Sequence, residues 1–342
     1  MRKLIFSIFF ILILSGSPFA QTLVKNVSKV AITAASFLEI GVGSRAIGMG
    51  GAFVGVADDA TALYWNPAGI SRLRKVEAVL VHTEWLAQTS FDYLGVVIPL
   101  GELGSIGGSV TSLTFGREPV RTVERPQGTG EYFDAADLAV SLSYARNLTD
   151  RFSIGFNVKY IDQRIWKERA TSFAMDVGTL FGSQFKDMKI GASISNFGPG
   201  MRMAGKDLLV YHDIDPYKMG NNERIFSELK TDEWPLPLNF QAGIAMDIVN
   251  YGNNRLSFSL DALHPSDNTE SVNIGTEYSL GEMIFMRLGY KALFLRDSEE
   301  GITLGGGLKY KLFTGATLKF DFAYADFGRL ESVQRFSLGI LF

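Results

Sequence analysis

From residue 77 to the end of the chain, apolar and polar residues alternate with a period of two. Leu318, Phe320, Phe322 and Tyr324 are interleaved with Lys319, Asp321, Ala323 and Ala325, and Phe152, Ile154, Phe156, Val158 and Tyr160 with Ser153, Gly155, Asn157 and Lys159. Leu256, Phe258, Leu260 and Ala262 alternate in the same way with Arg255, Ser257, Ser259 and Asp261. Successive side chains of a strand point to opposite faces, so each segment has one apolar face and one polar or small face. Fourteen such segments lie near 77–87, 91–100, 104–114, 134–146, 151–164, 171–183, 188–198, 236–248, 254–264, 270–280, 283–294, 301–311, 315–325 and 333–342. Most run 10 to 14 residues. Strands in soluble proteins usually have ~5–6 residues, whereas a tilted strand needs about 9–11 to cross a bilayer. The pattern therefore predicts an all-β fold, a transmembrane antiparallel β-barrel of about 14 strands over residues 76–342.

The connections give an independent reason. The even-numbered gaps are short: GELG at 101–104, NLTD at 147–150, SQFKD at 183–187, VNYGNN at 249–254, GEM at 281–283 and FTGA at 313–316. Most odd-numbered gaps are longer, at 115–133, 164–170, 199–235, 294–300 and 326–332; the first, near Gln88 to Ser90, breaks the trend. Odd and even connections of an up-and-down barrel lie at opposite ends, and outer-membrane barrels have short periplasmic turns and longer external loops. An even strand number then places both termini on the periplasmic side. The polar faces carry Lys159, Asp261, Arg287, Lys291, Lys309, Lys319 and Asp321. A cation facing lipid costs about 2–4 kcal/mol at mid-depth, so these residues are assigned to the lumen. With both signs present, a packed, salt-bridged interior is expected rather than an open pore.

The first 75 residues depart from the alternation. Met1, Arg2 and Lys3 precede an apolar run, Leu4 to Leu14, and a small-residue stretch ending at Ala20, the layout of a secretory signal peptide over 1–20. The run is too short to span a bilayer as a helix. Residues 21–75 are expected to form a short N-terminal helical plug. Within it, Asp58 or Asp59 can cap a helix starting at Ala60, and Asn66 can cap a second with Pro67 at its first position. Gly41, Gly43 and Ala46 fit a G-x-G-x-x-A dinucleotide fingerprint, but the βαβ context that motif needs is missing. Asp58 and Asp59 are two adjacent carboxylates without further oxygen ligands, weak material for a cation site.

Composition narrows the functions. Cys is absent and only His82, His212 and His264 occur, so no disulfide, thiolate centre or believable catalytic triad is expected. No G-x-S-x-G elbow appears. The formal charge of −3 carries no basic excess for nucleic acid. Neither catalytic residues nor a cofactor nor a bound metal is expected. Mean hydropathy of +0.12 is too low for a polytopic helical membrane protein. The C-terminal segment alternates Phe336, Leu338, Ile340 and Phe342 with Ser337, Gly339 and Leu341, and a terminal Phe of this kind looks like the signal read by the outer-membrane barrel-insertion machinery.

The stretches Gly43 to Gly51 (GSRAIGMGG), Ala57 to Ala62 (ADDATA) and Tyr64 to Gly69 (YWNPAG) resemble the PorV/PorQ family, whose barrels are similar to the FadL family. Asn66, Pro67, Ala68 and Gly69 carry the NPA motif, with Asp58 and Asp59 just before it. NFGPGMRM at 196–203 and PLPLNFQAGIAM at 235–246 look like that family's paired motifs flanking an external loop. The insert between them, roughly 204–234, is a departure and contains Tyr211, Tyr217, Met219 and Phe226.

The resemblance implies an outer-membrane protein that, once its signal peptide is removed, works in type IX secretion. It would bind cargo proteins through external loops and pass them from a secretion translocon to a surface attachment complex. Met201, Met203, Tyr211, Tyr217 and Phe226 are the candidate loop-binding residues. The alternative is a FadL-like transporter for hydrophobic small molecules, with a groove from Met201, Met203, Leu208 to Tyr211, and Phe285 deeper in the lumen. An outer-membrane enzyme is the third and least supported reading.

Overall fold

The computed structural model describes residues 30–342 other than 186, 216, 219, 221–223, 296–297 and 313–314. The signal peptide expected at 1–20 and Met219 lie outside the described residues. The alternating segments form fourteen antiparallel strands, each paired with the next in sequence. They are β1 Glu77–Trp85, β2 Thr89–Pro99, β3 Ser105–Thr114, β4 Ala135–Asn147, β5 Phe152–Ile165, β6 Glu168–Gly182 and β7 Lys189–Phe197. They continue as β8 Asn239–Tyr251, β9 Asn254–Pro265, β10 Ser271–Leu280, β11 Ile284–Leu293, β12 Ile302–Lys311, β13 Thr317–Asp326 and β14 Ser332–Leu341. The ring closes where β1 pairs with β14, from Glu77 opposite Leu341 to Glu84 opposite Gln334. Closure removes the free edges that would leave backbone groups unpaired in lipid.

The outward faces are greasy. Leu142, Phe173 and Met286 are 73%, 61% and 62% exposed, and exposed large apolar residues recur on every strand but β9. So much exposed apolar surface is tolerable only against lipid. The inward faces hold the charges assigned to them. Lys159 meets Asp176 at 2.9 Å, Arg287 meets Glu277 at 2.7 Å and Asp321 at 2.6 Å, and Lys319 meets Glu77 at 2.8 Å.

The connection rule holds with one change. The gap expected at 164–170 shrinks to a two-residue turn, because the β5–β6 ladder continues until Ile165 pairs with Glu168. Trp166 takes φ 51° there, and the Lys167 ammonium sits 3.9 Å from its ring centroid. Two long loops carry their own ribbons, Glu118–Pro119 with Tyr132–Phe133 and Leu209–His212 with Ile225–Glu228.

Residues 30–75 run through the barrel from end to end. At the long-loop mouth Thr33 donates to Asp267 (2.7 Å), Ala34 N donates to the Pro235 carbonyl (2.8 Å) and Ala35 N to Gln163 (2.9 Å). At the short-turn mouth Arg72 donates to the Arg151 carbonyl (3.1 Å). The expectation of two termini on the periplasmic side therefore needs correcting. The first strand starts and the last strand ends at the short-turn mouth, but the described chain starts at the opposite mouth, since the segment before β1 threads the lumen. Its short helices are α1 Ser44–Gly48 and α2 Ala62–Trp65, with 3-10 turns at Ser36–Glu39 and Pro67–Arg72. Gly41 and Gly43 serve close packing: a Cβ on Gly41 would lie 2.7 Å from Ile47 Cδ1.

Candidate functional site

The threading segment is fixed at two places. The first is the NPA motif. Asn66 is fully buried, and its backbone is extended so that its side chain caps the turn behind it, accepting from Ala68 N at 3.2 Å with Pro67 next in line. Its Nδ2 donates to the Val54 carbonyl at 2.9 Å and to the Thr179 carbonyl of β6 at 3.0 Å. Gly155 and Gly178, paired across β5 and β6, make the wall flat enough to receive it. A Cβ on Gly178 would lie 2.1 Å from Asn66 Oδ1, and one on Gly155 2.3 Å from the Pro67 carbonyl carbon. Gly69 is equally constrained, with its Cβ direction 2.0 Å from the Ala57 carbonyl oxygen.

The second is a cluster of charges around Arg45. Its Nη1 meets Asp58 at 2.6 Å and Asp59 at 3.0 Å, while Nε and Nη2 meet both oxygens of Glu277 on β10 at 2.9 and 3.0 Å. Lys189 approaches Asp58 at 3.4 Å. Burial alone would raise the Asp58 carboxyl, but the Arg45 guanidinium overrides it and holds the group far below the usual carboxylate range. Asp59 also accepts from Thr61 N at 2.9 Å, which orders the approach to α2. The helix starts two residues later than expected. The cation that the two aspartates hold is therefore a guanidinium from the same segment. Sequence reasoning quoted Arg45 within GSRAIGMGG without giving it a role; the signal was a lone cation in a run of Gly, Ala and Ile.

Further wall contacts complete the seating. Asp261 of β9 accepts from Phe53 N and Val54 N at 2.7 and 2.8 Å, and Ser44 shares a hydrogen bond with Ser337 of β14 at 2.8 Å. Arg335 donates to the Gly41 carbonyl.

A cavity of about 760 Å³ remains between the segment and the wall. Most of its lining residues are polar or charged, among them Glu39, Ser195, Asn239, Gln241, Asn268 and Lys291, with Tyr64 and Trp65 on the plug side. Phe285 is not among them; it sits under Arg287, 5.4 Å from the guanidinium to the ring centroid. Enclosure within the barrel, then the neighbouring Asp267 carboxylate, push the Glu39 carboxyl up to about 8.

The external loops divide the candidate binding residues. Tyr211 and Phe226 face each other across their ribbon with ring centroids 5.7 Å apart, and they are 69% and 64% exposed. Tyr217, at 97%, lies in the segment joining the ribbon's strands. Met201 is different: it is 2% exposed and packs inward in the same apolar cluster as Leu236. Met201 and Trp234 exchange backbone hydrogen bonds at 2.8 and 2.9 Å, so the two motifs flanking the insert meet and fold down over the lumen. Asn196 starts that fold in a left-handed conformation (φ 62°), with its N–H on Asp176 at 2.8 Å. Met203 is half-buried against the same cluster. At the other end of the chain, Phe336 and Leu338 face lipid at 40% and 45% exposure, Ile340 follows on the same side, and Phe342 N closes on the Val76 carbonyl at 3.0 Å.

Three solved barrels show how widely this fold is shared. The CymD monoaromatic hydrocarbon channel is 14% identical and superposes with a TM-score of 0.54 over 88% of this chain and 97% of its own. The Ralstonia pickettii toluene transporter TbuX is 12% identical, with a TM-score of 0.53 over the same shares. A Pseudomonas aeruginosa FadL homologue is 11% identical, with a TM-score of 0.50 over 86% of this chain and 97% of that one. Identity at this level speaks for the fold alone. No curated protein matches the chain. The family model described as "Type IX secretion system protein PorV" matches residues 24–208. That span holds the NPA seat, the Arg45, Asp58 and Asp59 side of the charge cluster and more than half of the 342 residues, and the chain belongs to the PorV family, built as a FadL-like outer-membrane β-barrel.

Proposed function

We propose that this protein is a non-enzymatic component of type IX secretion that binds secreted cargo through its external loops. The observation that carries this reading is the exposed aromatic ribbon of the 198–238 loop. Tyr211, Tyr217 and Phe226 are 69%, 97% and 64% exposed at the long-loop end. Exposed aromatic side chains of this kind are the usual anchors of protein contacts. The family match ends at residue 208, where the ribbon begins. A secretion translocon on the delivering side and an attachment complex on the receiving side are the partners that fit.

Transport of hydrophobic small molecules has the fold of the hydrocarbon channels behind it and little else. The lumenal segment is held by buried ion pairs, and Met201 and Phe285 are not free to form an apolar route. A deletion strain, assayed by surface proteomics and by uptake of long-chain lipids, separates the two. Loss of secreted proteins with normal uptake, restored by the wild-type gene but not by Tyr211→Ala/Phe226→Ala, is the expected result. Lost uptake with normal secretion would overturn the proposal.

A further inference from the structure

Residues 72–76 carry the chain from the lumen to β1, and they do so across the short-turn mouth. Arg72 Nη2 donates to the Arg151 carbonyl in the β4–β5 turn at 3.1 Å, and Lys75 Nζ donates to the Gly315 carbonyl in the β12–β13 turn at 3.3 Å. Those turns lie on opposite sides of the ring of strands. The stretch Arg72, Leu73, Arg74, Lys75 therefore bridges the opening. Leu73 is buried beneath it, while Arg74, Lys75 and Arg151 are exposed. Lys311, at the end of β12, adds a further exposed cation.

None of Arg72, Arg74, Lys75, Arg151 and Lys311 forms an ion pair among the described residues. Other cations at this end are paired, Arg255 and Lys309 with Glu282, and the exposed carboxylates Glu102, Asp150 and Asp187 share its turns. At the opposite mouth Arg117, Arg121, Arg125, Lys206 and Lys230 form no ion pair among the described residues either, but pairing is commoner. There Arg164, Lys167, Arg169, Arg202 and Arg329 each sit against a carboxylate: Asp134, Asp207, Asp162, Glu233 and Glu299. The basic mouth also stands against the sign of the whole molecule, which carries a formal charge of −3. Arg72 pays most for its position: burial lowers its pKa, and its Nε is buried without a hydrogen-bond partner. Unneutralised cations gathered over one opening repel one another and focus a positive potential outward. Lipid headgroups are poorly placed to neutralise them, because Arg72, Arg74 and Lys75 lie within the ring of strands. Arg146 is the contrasting case, on the lipid-facing side of β4 with Leu142 and Tyr144. Short turns mark this end as periplasmic.

We infer that the short-turn mouth is a docking surface for an acidic segment of a periplasmic protein, engaged by Arg74, Lys75 and Arg151 with Arg72 behind them. The proposal is independent of what the external loops bind. It is tested with the full chain in neutral phosphatidylcholine nanodiscs and fluorescent poly-L-glutamate as the probe. Saturable binding is expected, weakening as salt rises from about 50 to about 300 mM, since exposed charges are screened over that range. Arg74→Glu/Lys75→Glu/Arg151→Glu is expected to weaken it about tenfold or more. The control Arg121→Glu/Arg125→Glu, in the external 115–134 loop, is expected to change it less than twofold. Retained heat-modifiable migration on gels shows that each variant still forms the barrel. In cells, a photoreactive side chain at position 74 is expected to give an adduct with an acidic periplasmic protein that disappears with Arg151→Glu. Equal loss in both sets of variants, retention on phosphatidylglycerol vesicles but not on poly-L-glutamate, or an adduct indifferent to Arg151→Glu would each overturn the proposal.

Discussion

Arg45→Ala tests whether the lumenal segment is locked by charge. The guanidinium touches four carboxylate oxygens on Asp58, Asp59 and Glu277, and its side chain is 17% exposed. Breaking a buried pair from one side costs about 3–5 kcal/mol, because the remaining charge is left uncompensated. The lower end applies here: Glu277 keeps Arg287 at 2.7 Å and Asp58 keeps Lys189 at 3.4 Å, and only Asp59 loses its ion-pair partner. About 3 kcal/mol corresponds to roughly a 100-fold larger population of the unseated segment. The barrel's ladder shares none of these contacts, so the change should be local. Hydrogen exchange resolves it: the Phe53 and Val54 amides, which donate to Asp261 at 2.7 and 2.8 Å, should exchange about 100-fold faster. Amides of the β1–β14 pairing should be unchanged. Acid should act in the same direction. The folded Asp58 pKa lies below its unfolded value, so its contribution is present above the ordinary carboxylate range near ~4 and is lost as pH falls below it. Plug amides that exchange at the wild-type rate in Arg45→Ala would refute the argument and move the lock to the NPA seat.

Three further outcomes follow. Asn66→Ala strands the Val54 and Thr179 carbonyls and the Ala68 amide, and at about 1–3 kcal/mol per buried unsatisfied group it should release the Pro67–Arg72 turn, read as new protease or thiol-label access there. Glu39 has its pKa raised from 4.5 to about 8, so the folded state holds a proton that the unfolded state gives up. Protection of the Ser36–Glu39 turn should fall as pH rises from 4.5 toward 8, and Glu39→Gln should flatten that profile. Phe336→Ala/Phe342→Ala removes apolar contact at the closing strand and should lower the heat-modifiable fraction in the outer membrane; an unchanged fraction would separate these residues from barrel assembly.

The barrel was legible because its cause is local. A period of two with one greasy face is written residue by residue, and loop parity follows from the same count. What sequence could not supply were consequences of long-range seating. Met201 reads as a loop residue until its pairing with Trp234 folds it inward. Arg45 reads as an isolated cation until Glu277, more than two hundred residues away, is brought beside it. Asp58 and Asp59 were visible as a pair, but not that the cation between them would come from their own segment. The wall glycines at 155 and 178 had no role assigned from the alternation; they are the flat seat for Asn66 and Pro67. The shrunken β5–β6 turn was missed because Trp166 and Lys167 carry none of the usual turn residues.

These two kinds of feature bear on what a barrel of this shape is free to do. A lumenal segment that must move to admit a ligand should be held by contacts that break cheaply. Here it is held by a guanidinium shared among three carboxylates, by an asparagine with its amide capacity used, and by glycines that leave no slack against the wall. Loosening any one of them costs a sizeable part of a domain's net stability. The more exposed parts lie at the two mouths: the aromatic ribbon on one side and the cations Arg74, Lys75 and Arg151 on the other. A cylinder whose lumenal segment is held this firmly, with exposed groups at its ends, is better matched to holding proteins on both sides of a membrane than to passing a small molecule through it.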